Sequence, residues 1–421
     1  MPLSFGAELR ARRLTAGISL TRLAKSINYS KSHISKIENG TKAPGMLLAR
    51  LCDVALEADG ELASIVTTAQ TPRLSRPPGK SEVDDLWVMQ LEPGGSGRFG
   101  MARRPGNAEP LHRTTWPPAS NGAQQRYTDE VLGEFRGQFD SLRRLTQSLP
   151  SAAMLPLLIA GTHAMRLAAA TAPAAIQARL FLLASRYAEL TGWMAQEAGD
   201  DDGAVWWTDL AVEYAAAGGD RRLAAFAGVR RADIAMYQHN GPRTVELARH
   251  VQRLDCGSRI RGLAAQREAQ GHAIDGDDDA CRRALDRAAT WLGEPDDTSA
   301  GPVLGSSTVS DPINMATGWC LHDLGRPDQA AERLVGQLER TPAWAARTRG
   351  RLGARYALAL LAAGDIDRGC AALDQALNDC AGLNSATIRT DLREAAHQLN
   401  RHPTNQTART TLPRLTNALT P

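Results

Sequence analysis

Ser30-Lys31-Ser32-His33-Ile34-Ser35-Lys36-Ile37-Glu38-Asn39-Gly40 is the stretch on which the reading of this chain turns. At about 100° per residue, Ile34 and Ile37 fall on one side of a helix over residues 31 to 38, and Lys31, Ser32, Ser35 and Lys36 on the other. His33 lies on the flank between the two faces. Ser30 is placed to cap this helix and Asn39-Gly40 to stop it. A short helix held by two isoleucines can lie in a major groove, where Lys donates to guanine O6 and N7 and Ser to several base edges. A serine at its start, beside the free amides of the first turn, suits a phosphate.

The residues on either side complete a small domain. Ser4 caps a first helix with Leu9 and Leu14 inward, and Gly17 ends it. Ser19 caps a second helix carrying Leu20, Leu23, Ala24 and Ile27. Pro44 opens a fourth at about residues 45–56, and a fifth follows at residues 61–66. The charge agrees with a polyanion partner: residues 1–50 hold nine lysines and arginines against two glutamates, a balance of +7, in a chain whose net charge is +3. Four of the five lysines in the chain, Lys25, Lys31, Lys36 and Lys42, lie in this segment.

These residues, from Gly17-Ile18-Ser19 through Leu23-Ala24 and the stretch 30–40 to Pro44, resemble the Xre/Cro family of helix-turn-helix regulators. The resemblance implies base reading by Lys31, Ser32 and Lys36, with His33 and Ser35 on the same helix. It also implies DNA-backbone contacts around Ser19, Ser30, Asn39, Thr41 and Lys42. The family often carries Gln just after the cap of the second helix. Leu20 stands there in this chain, so any polar contact at that place falls to Thr21 or Arg22. A helix-turn-helix protein of this type is expected to bind a double-stranded operator as a homodimer.

Residues 71–126 change character, with TPRLSRPPGK, EPGGSG and TWPPASNGAQQ supplying turn and linker residues. Within them, residues 85–104 read as one β-hairpin. Gly95-Ser96-Gly97-Arg98-Phe99-Gly100 matches G-x-G-x-x-G, but no helix follows at once to present amides to a pyrophosphate, so a dinucleotide site is rejected.

From residue 127 the chain is rich in Ala, Leu and Arg, with helical stretches separated by Gly-Asp or Gly-Arg turns. A pattern of small and apolar residues, the packing signature of a helix pair, fits at Gly318, Leu321, Ala330, Leu334 and Pro342. It recurs at Ala357, Leu360, Gly369, Leu373 and Ala376, with weaker copies from Ala269 and Ala235. Over about residues 190–380 these positions resemble the tetratricopeptide repeat, whose pairs stack into a superhelix with a concave binding face. The repeat phase implies a groove lined by Met236, His239, Gln266, Gln270, Met315, Trp319 and His322, suited to an extended peptide. Trp193, Trp206 and Trp207 read as packing residues.

Other classes find little support. The apolar stretch 152–160 breaks before the roughly 18 to 20 residues of a membrane span, and the N-terminus lacks a signal peptide's apolar run. Six cysteines show no C-x-x-C and read as free thiols in a reducing cytoplasm. No hydrolase or nucleotide-binding motif is present, the acidic runs 200–202 and 275–279 are at inter-helix turns, and neither a metal nor a cofactor is expected.

The expected fold is all-α. A five-helix helix-turn-helix domain (1–70) leads through a linker with a β-hairpin (71–126) to a tetratricopeptide-like α-solenoid (127–400) and a flexible tail (401–421). The arrangement resembles the peptide-pheromone receptors of Gram-positive bacteria. It implies a cytoplasmic, nucleoid-associated repressor, not an enzyme, whose repeat domain dimerises or senses a peptide or small-molecule signal. The alternative is a protein-interaction adaptor or antitoxin-like partner with auxiliary DNA binding.

Overall fold

The computed structural model describes residues 4–26, 31–42, 44, 46–56, 58, 61–62, 65, 85–91, 97–103, 112–116, 129–294, 304–305 and 308–420. The chain divides into two compact units, Met1–Asp85 and Leu86–Pro421.

In the first unit, α1 (Phe5–Thr15) starts at Ser4, whose Oγ accepts the Ala7 N–H at 3.3 Å. It ends at Gly17, which turns the chain with φ of 65°, a left-handed conformation that costs glycine little. Then follow α2 (Leu20–Ser26), α3 (Lys31–Glu38) and α4 (Met46–Leu56). The described residues of the expected fifth helix, Glu61, Leu62 and Ile65, are helical. Leu9, Leu23, Ile34, Ile37, Ala49 and Leu62 close into one core. Leu14 is not part of it: at 60% exposure it lies on the outer face of α1, and Arg13 takes the inward place beside it.

The second unit opens on β1 (Asp85–Leu91), β2 (Gly97–Arg103) and β3 (His112–Trp116). The expectation of a lone hairpin is corrected here. The strands form a three-stranded sheet in the order β1-β2-β3, with β2 antiparallel to β3 and Phe99 opposite Thr114. The residues joining β1 to β2 lie outside the described set. Gly97 and Gly100 belong to a strand, which no pyrophosphate-binding turn allows.

Among the described residues fourteen helices follow: α5 (Asp129–Leu145), α6 (Ser151–Thr171), α7 (Ala174–Ala198), α8 (Asp201–Ala217), α9 (Arg222–Tyr237), α10 (Gly241–Gln252), α11 (Ser258–Ile274), α12 (Asp278–Gly293), α13 (Pro312–Asp323), α14 (Pro327–Arg340), α15 (Ala346–Ala362), α16 (Ile366–Asp379), α17 (Ala386–Leu399) and α18 (Gln406–Leu419). From α5 to α16 each packs against the next, and α9 meets α11, α11 meets α13, and α15 meets α17, as stacked helix pairs require. Small residues set the close approaches: a Cβ on Gly318 would meet Leu334 Cγ at 2.9 Å, and one on Gly369 would meet Leu361 Cδ2 at 2.6 Å. Asp200, Asn240, Asp277, Asp311 and Asp365 each cap a helix start, which accounts for the acidic turns.

Two further expectations are corrected. The apolar run from residue 152 does not break at 160 but continues in α6, which has the length and composition to cross a membrane. In this fold α6 buries Met154, Leu158 and Met165 in a core shared with α5 and α7. Within the expected flexible tail of 401–421, residues 401–420 are ordered around α18, which packs on α16 and α17 and buries Ala408, Thr411 and Leu415. Its apolar residues recur at helical spacing, so the pairing extends beyond the range of the repeat pattern.

Gly6 fixes how α3 meets α1, because a Cβ there would stand 2.2 Å from the Ile37 carbonyl oxygen. Gly6→Ala should destabilise the first unit by about 1–3 kcal/mol, seen as faster hydrogen exchange at the α1 and α3 amides. Gly133→Ala, where nothing lies within 4 Å of the added carbon, should stabilise α5 by up to about 1 kcal/mol. Equal exchange in wild type and Gly6→Ala would contradict the packing described.

Candidate functional site

The first unit presents a polar face built on α2 and α3. Ile34 and Ile37 are buried, while Lys31 and Lys36 are exposed and Ser35 is half-buried. Ser32 and His33 lie on the same helix, but their side chains, and Ser30 altogether, fall outside the described residues. Ser19 caps α2, its Oγ accepting the Arg22 N–H at 3.2 Å, and Ser19, Thr21 and Arg22 are exposed. Asn39, Thr41 and Lys42 are exposed just beyond α3. The Thr41 hydroxyl donates to the Lys36 carbonyl at 2.9 Å and so also ends the helix.

Sequence reasoning missed the pair that holds this face in place. Arg13 of α1 grips Glu38, the last residue of α3, with Nε to Oε1 at 2.6 Å and Nη2 to Oε2 at 2.9 Å. Its Nη1 donates to the Ile18 carbonyl at 3.0 Å in the turn before α2. A two-pronged, largely buried pair of this kind orients both helices. The signal was available: Glu8 and Glu38 are the only acids in the first fifty residues, and both bond arginines of α1.

In the second unit, residues of α5, α7, α9, α11, α13 and α15 surround a cavity of about 640 Å³. α7 contributes Glu189, Leu190 and Trp193; α9 contributes Phe226, Val229, Arg230 and Asp233; and α11 contributes Arg259, Leu263, Gln266 and Arg267. Met315 of α13, Arg347, Thr348, Arg351 and Leu352 of α15, and Asp140, Arg143 and Arg144 of α5 complete most of the wall. Trp344 stands in it with half its surface exposed.

Residues 4–64 match the family model described as a helix-turn-helix domain. The match spans α1 to α4, so the Arg13–Glu38 pair lies inside that domain. Two solved structures are similar to the chain. One is a Rap protein complexed with competence and sporulation factor, at 11% identity over 68% of this chain and 98% of that one, with a TM-score of 0.39. The other is PlcR of Bacillus thuringiensis in complex with the peptide PapR7 and DNA, at 10% identity over 96% of this chain and 99% of that one, with a TM-score of 0.29. No curated protein sequence matches the chain.

In the second unit, the groove residues expected on the inner helices divide. Gln266 and Met315 line the cavity, whereas Met236, His239, Gln270, Trp319 and His322 do not. Towards the C-terminal ends of these helices the interior is filled by stacked rings and guanidinium groups. Tyr237 and Trp319 meet edge to face with centroids 5.8 Å apart, Arg355 lies 3.7 Å over Trp319, and Arg351 lies 5.6 Å over Tyr237. Met236 and Gln270 are buried. His239 is exposed in the left-handed turn after α9. His322 is half-buried, and burial and the Arg355 charge hold its pKa down at about 4. Trp193, expected to serve packing alone, faces the cavity, and Trp206 is exposed at 58%.

One buried carboxylate ties the two ends of the helical array together. Glu197 of α7 accepts Arg347 Nη1 and Arg351 Nη2 at 2.7 Å each, the Ser385 hydroxyl at 2.5 Å and the Thr387 hydroxyl at 2.8 Å. Arg347 also donates from Nε to the Thr146 carbonyl at 2.8 Å and from Nη2 to that of Leu149 at 2.7 Å. The turn between α5 and α6, the end of α7 and the starts of α15 and α17 therefore share one network. Burial pushes the Glu197 carboxyl up, but Arg351, Arg347 and the two hydroxyls pull it down further, leaving it below its ordinary 4.5.

A carboxyl with a depressed folded-state pKa contributes stability fully above its ordinary value and loses it as pH falls through the folded value. The urea midpoint of the second unit should therefore drop below about pH 4.5. Glu197→Gln, which leaves two arginines without their partner, should cost about 3–5 kcal/mol at neutral pH and flatten this acid limb. A variant with the wild-type midpoint at pH 7 and the same acid slope would contradict the assignment.

Proposed function

We propose that the chain is a sequence-specific DNA-binding regulator of transcription that acts as a repressor by occupying its operator. In this reading Lys31, Ser32 and Lys36 of α3 read base edges in the major groove, with His33 and Ser35 beside them. Ser19, Thr21, Arg22, Ser30, Asn39, Thr41 and Lys42 position the helix on the DNA backbone. The helical unit dimerises the chain and takes a peptide or small-molecule signal in its cavity. Residues 1–70 serve as the DNA-binding domain, and residues 127 onward as the sensing one.

One observation carries this reading: within the stretch matching a helix-turn-helix domain, α3 buries Ile34 and Ile37, is braced by Arg13, and leaves Lys31 and Lys36 exposed. The cluster of lysines at the front of an otherwise arginine-rich chain supports it. Regulation follows from geometry, because two recognition helices must stand about 34 Å apart to enter half-sites one turn apart. A ligand that alters the dimer thus costs one half-site.

The test is selection from a random DNA library with purified full-length protein, followed by footprinting at a stated salt concentration. A palindrome with half-sites one turn apart is the expected product. Lys31→Ala with Lys36→Ala should lose about 1–3 kcal/mol of discrimination at the contacted base pairs while keeping the fold. Failure to enrich any sequence, or a double variant that binds the selected site as wild type does, would refute the reading.

A further inference from the structure

Seven arginines and three carboxylates line the cavity. Their pairing is uneven. Arg230 and Arg267 share Asp233, and Arg347 and Arg351 share Glu197 just behind the wall. Arg143 and Arg259 have no carboxylate at ion-pair distance among the described residues. Each is held by a backbone carbonyl of one short segment, Arg143 Nη2 by Gly305 at 2.8 Å and Arg259 Nε by Leu304 at 3.2 Å. Burial lowers the Arg143 pKa, and the Arg259 and Arg186 charges push the same way against Glu189 and Asp140. In a cavity lined by seven arginines and three carboxylates, two guanidinium groups that touch only backbone carbonyls have donors left for an anion.

Three other features agree. Arg259 lies in the first turn of α11, Pro312 opens α13, and Arg347 and Thr348 lie in the first turn of α15, so several helix N-termini add positive potential at the cavity. Trp193, Phe226, Leu263, Leu292 and Met315 give the same space an apolar wall. The volume of about 640 Å³ is that of a drug-sized ligand's pocket.

We infer that this cavity binds a compact amphiphilic organic anion, with an oxyanion head on Arg143 and Arg259 and an apolar body against Trp193, Phe226 and Leu263. The inference rests on the reading of the helical unit as the sensing domain and names the chemistry of its ligand. A small organic acid and the C-terminal carboxylate of a short peptide both offer that head group.

The probe is 1-anilinonaphthalene-8-sulfonate, an apolar body with one oxyanion, set against N-phenyl-1-naphthylamine, the same body without it. Fluorescence titration of the full-length protein should give one saturable site for the sulfonate and binding at least about tenfold weaker for the neutral compound. Arg143→Gln with Arg259→Gln should remove that preference and leave binding of the neutral compound and the helical circular dichroism unchanged. Arg143→Lys with Arg259→Lys, which keeps both charges, should retain most of it and guards against a misfolded Gln variant. Displacement by decanoate and not decanol assigns the head group to a small acid. Displacement by an N-acetylated leucine-rich pentapeptide and not by its C-terminal amide assigns it to a peptide. Equal binding of the two naphthalenes, no binding of the sulfonate, an unaltered preference in the Gln variant, or displacement by neither acid would overturn the inference. DNA binding to the selected operator, measured on the same preparations, separates the two readings. Operator binding without the anion preference removes only the anion site. An anion preference without operator binding removes only the regulator.

Discussion

The second unit depends on the bond between Glu197 and Arg347. Helix-pair arrays are held by contacts between neighbours and would by themselves form an open superhelix. Here residues 150 positions apart in sequence meet in a buried ion pair, with Arg347 also gripping the turn at Thr146 and Leu149. A buried pair of this kind stabilises only when its remaining hydrogen-bonding capacity is used, because desolvation otherwise exceeds the attraction. Glu197 meets that condition through two arginines and two hydroxyls, and Arg347 through one carboxylate and two carbonyls. The result is that two arginines of the cavity wall are fixed to the end of α7.

The choice of arginine over lysine follows from the same demand. A planar guanidinium can serve several partners in fixed directions and stack on a ring, which an ammonium on a flexible stem does poorly. Arg347, Arg351 and Arg355 stand at successive helical turns of α15 and do this in sequence, on Glu197, on Glu197 with Tyr237, and on Asp391 with Trp319. All five lysines lie in the first unit, where Lys31, Lys36 and Lys42 are exposed. Composition along the chain thus separates interior charge from surface charge.

What the sequence made legible is local. Ser4, Gly17, Ser19 and Gly40 mark helix ends by short-range chemistry, and Ile34 with Ile37 fixes the inner face of α3. Packing of Gly318 on Leu334 and of Gly369 on Leu361 follows the small-residue pattern of a helix pair. The rest was set by distant partners. Leu14 is turned outward because Arg13 must reach Glu38, 25 residues on. Trp319 stacks between Tyr237 and Arg355 and does not line the cavity, whereas Met315, one turn earlier on the same helix, does. Pairing of β3 with β2 spans residues without alternating apolar character, and it was missed for that reason. The arginine stripe at 347, 351 and 355 was visible as a spacing of four, but only its partners on other helices give it a meaning.

Closure of the array and the character of its cavity are consequently not independent. Arg347 and Arg351 line the cavity on one side and bind Glu197 on the other. Anything that changes the potential in the cavity changes the strength of those bonds, and anything that breaks them reshapes the wall. By thermodynamic linkage, a ligand that prefers the closed arrangement must strengthen closure by the same factor by which closure strengthens its binding. Placing the closing arginines in the wall therefore gives a small ligand leverage over helices far apart in sequence, α5 to α7 on one side and α15 to α17 on the other, without a separate relay between them.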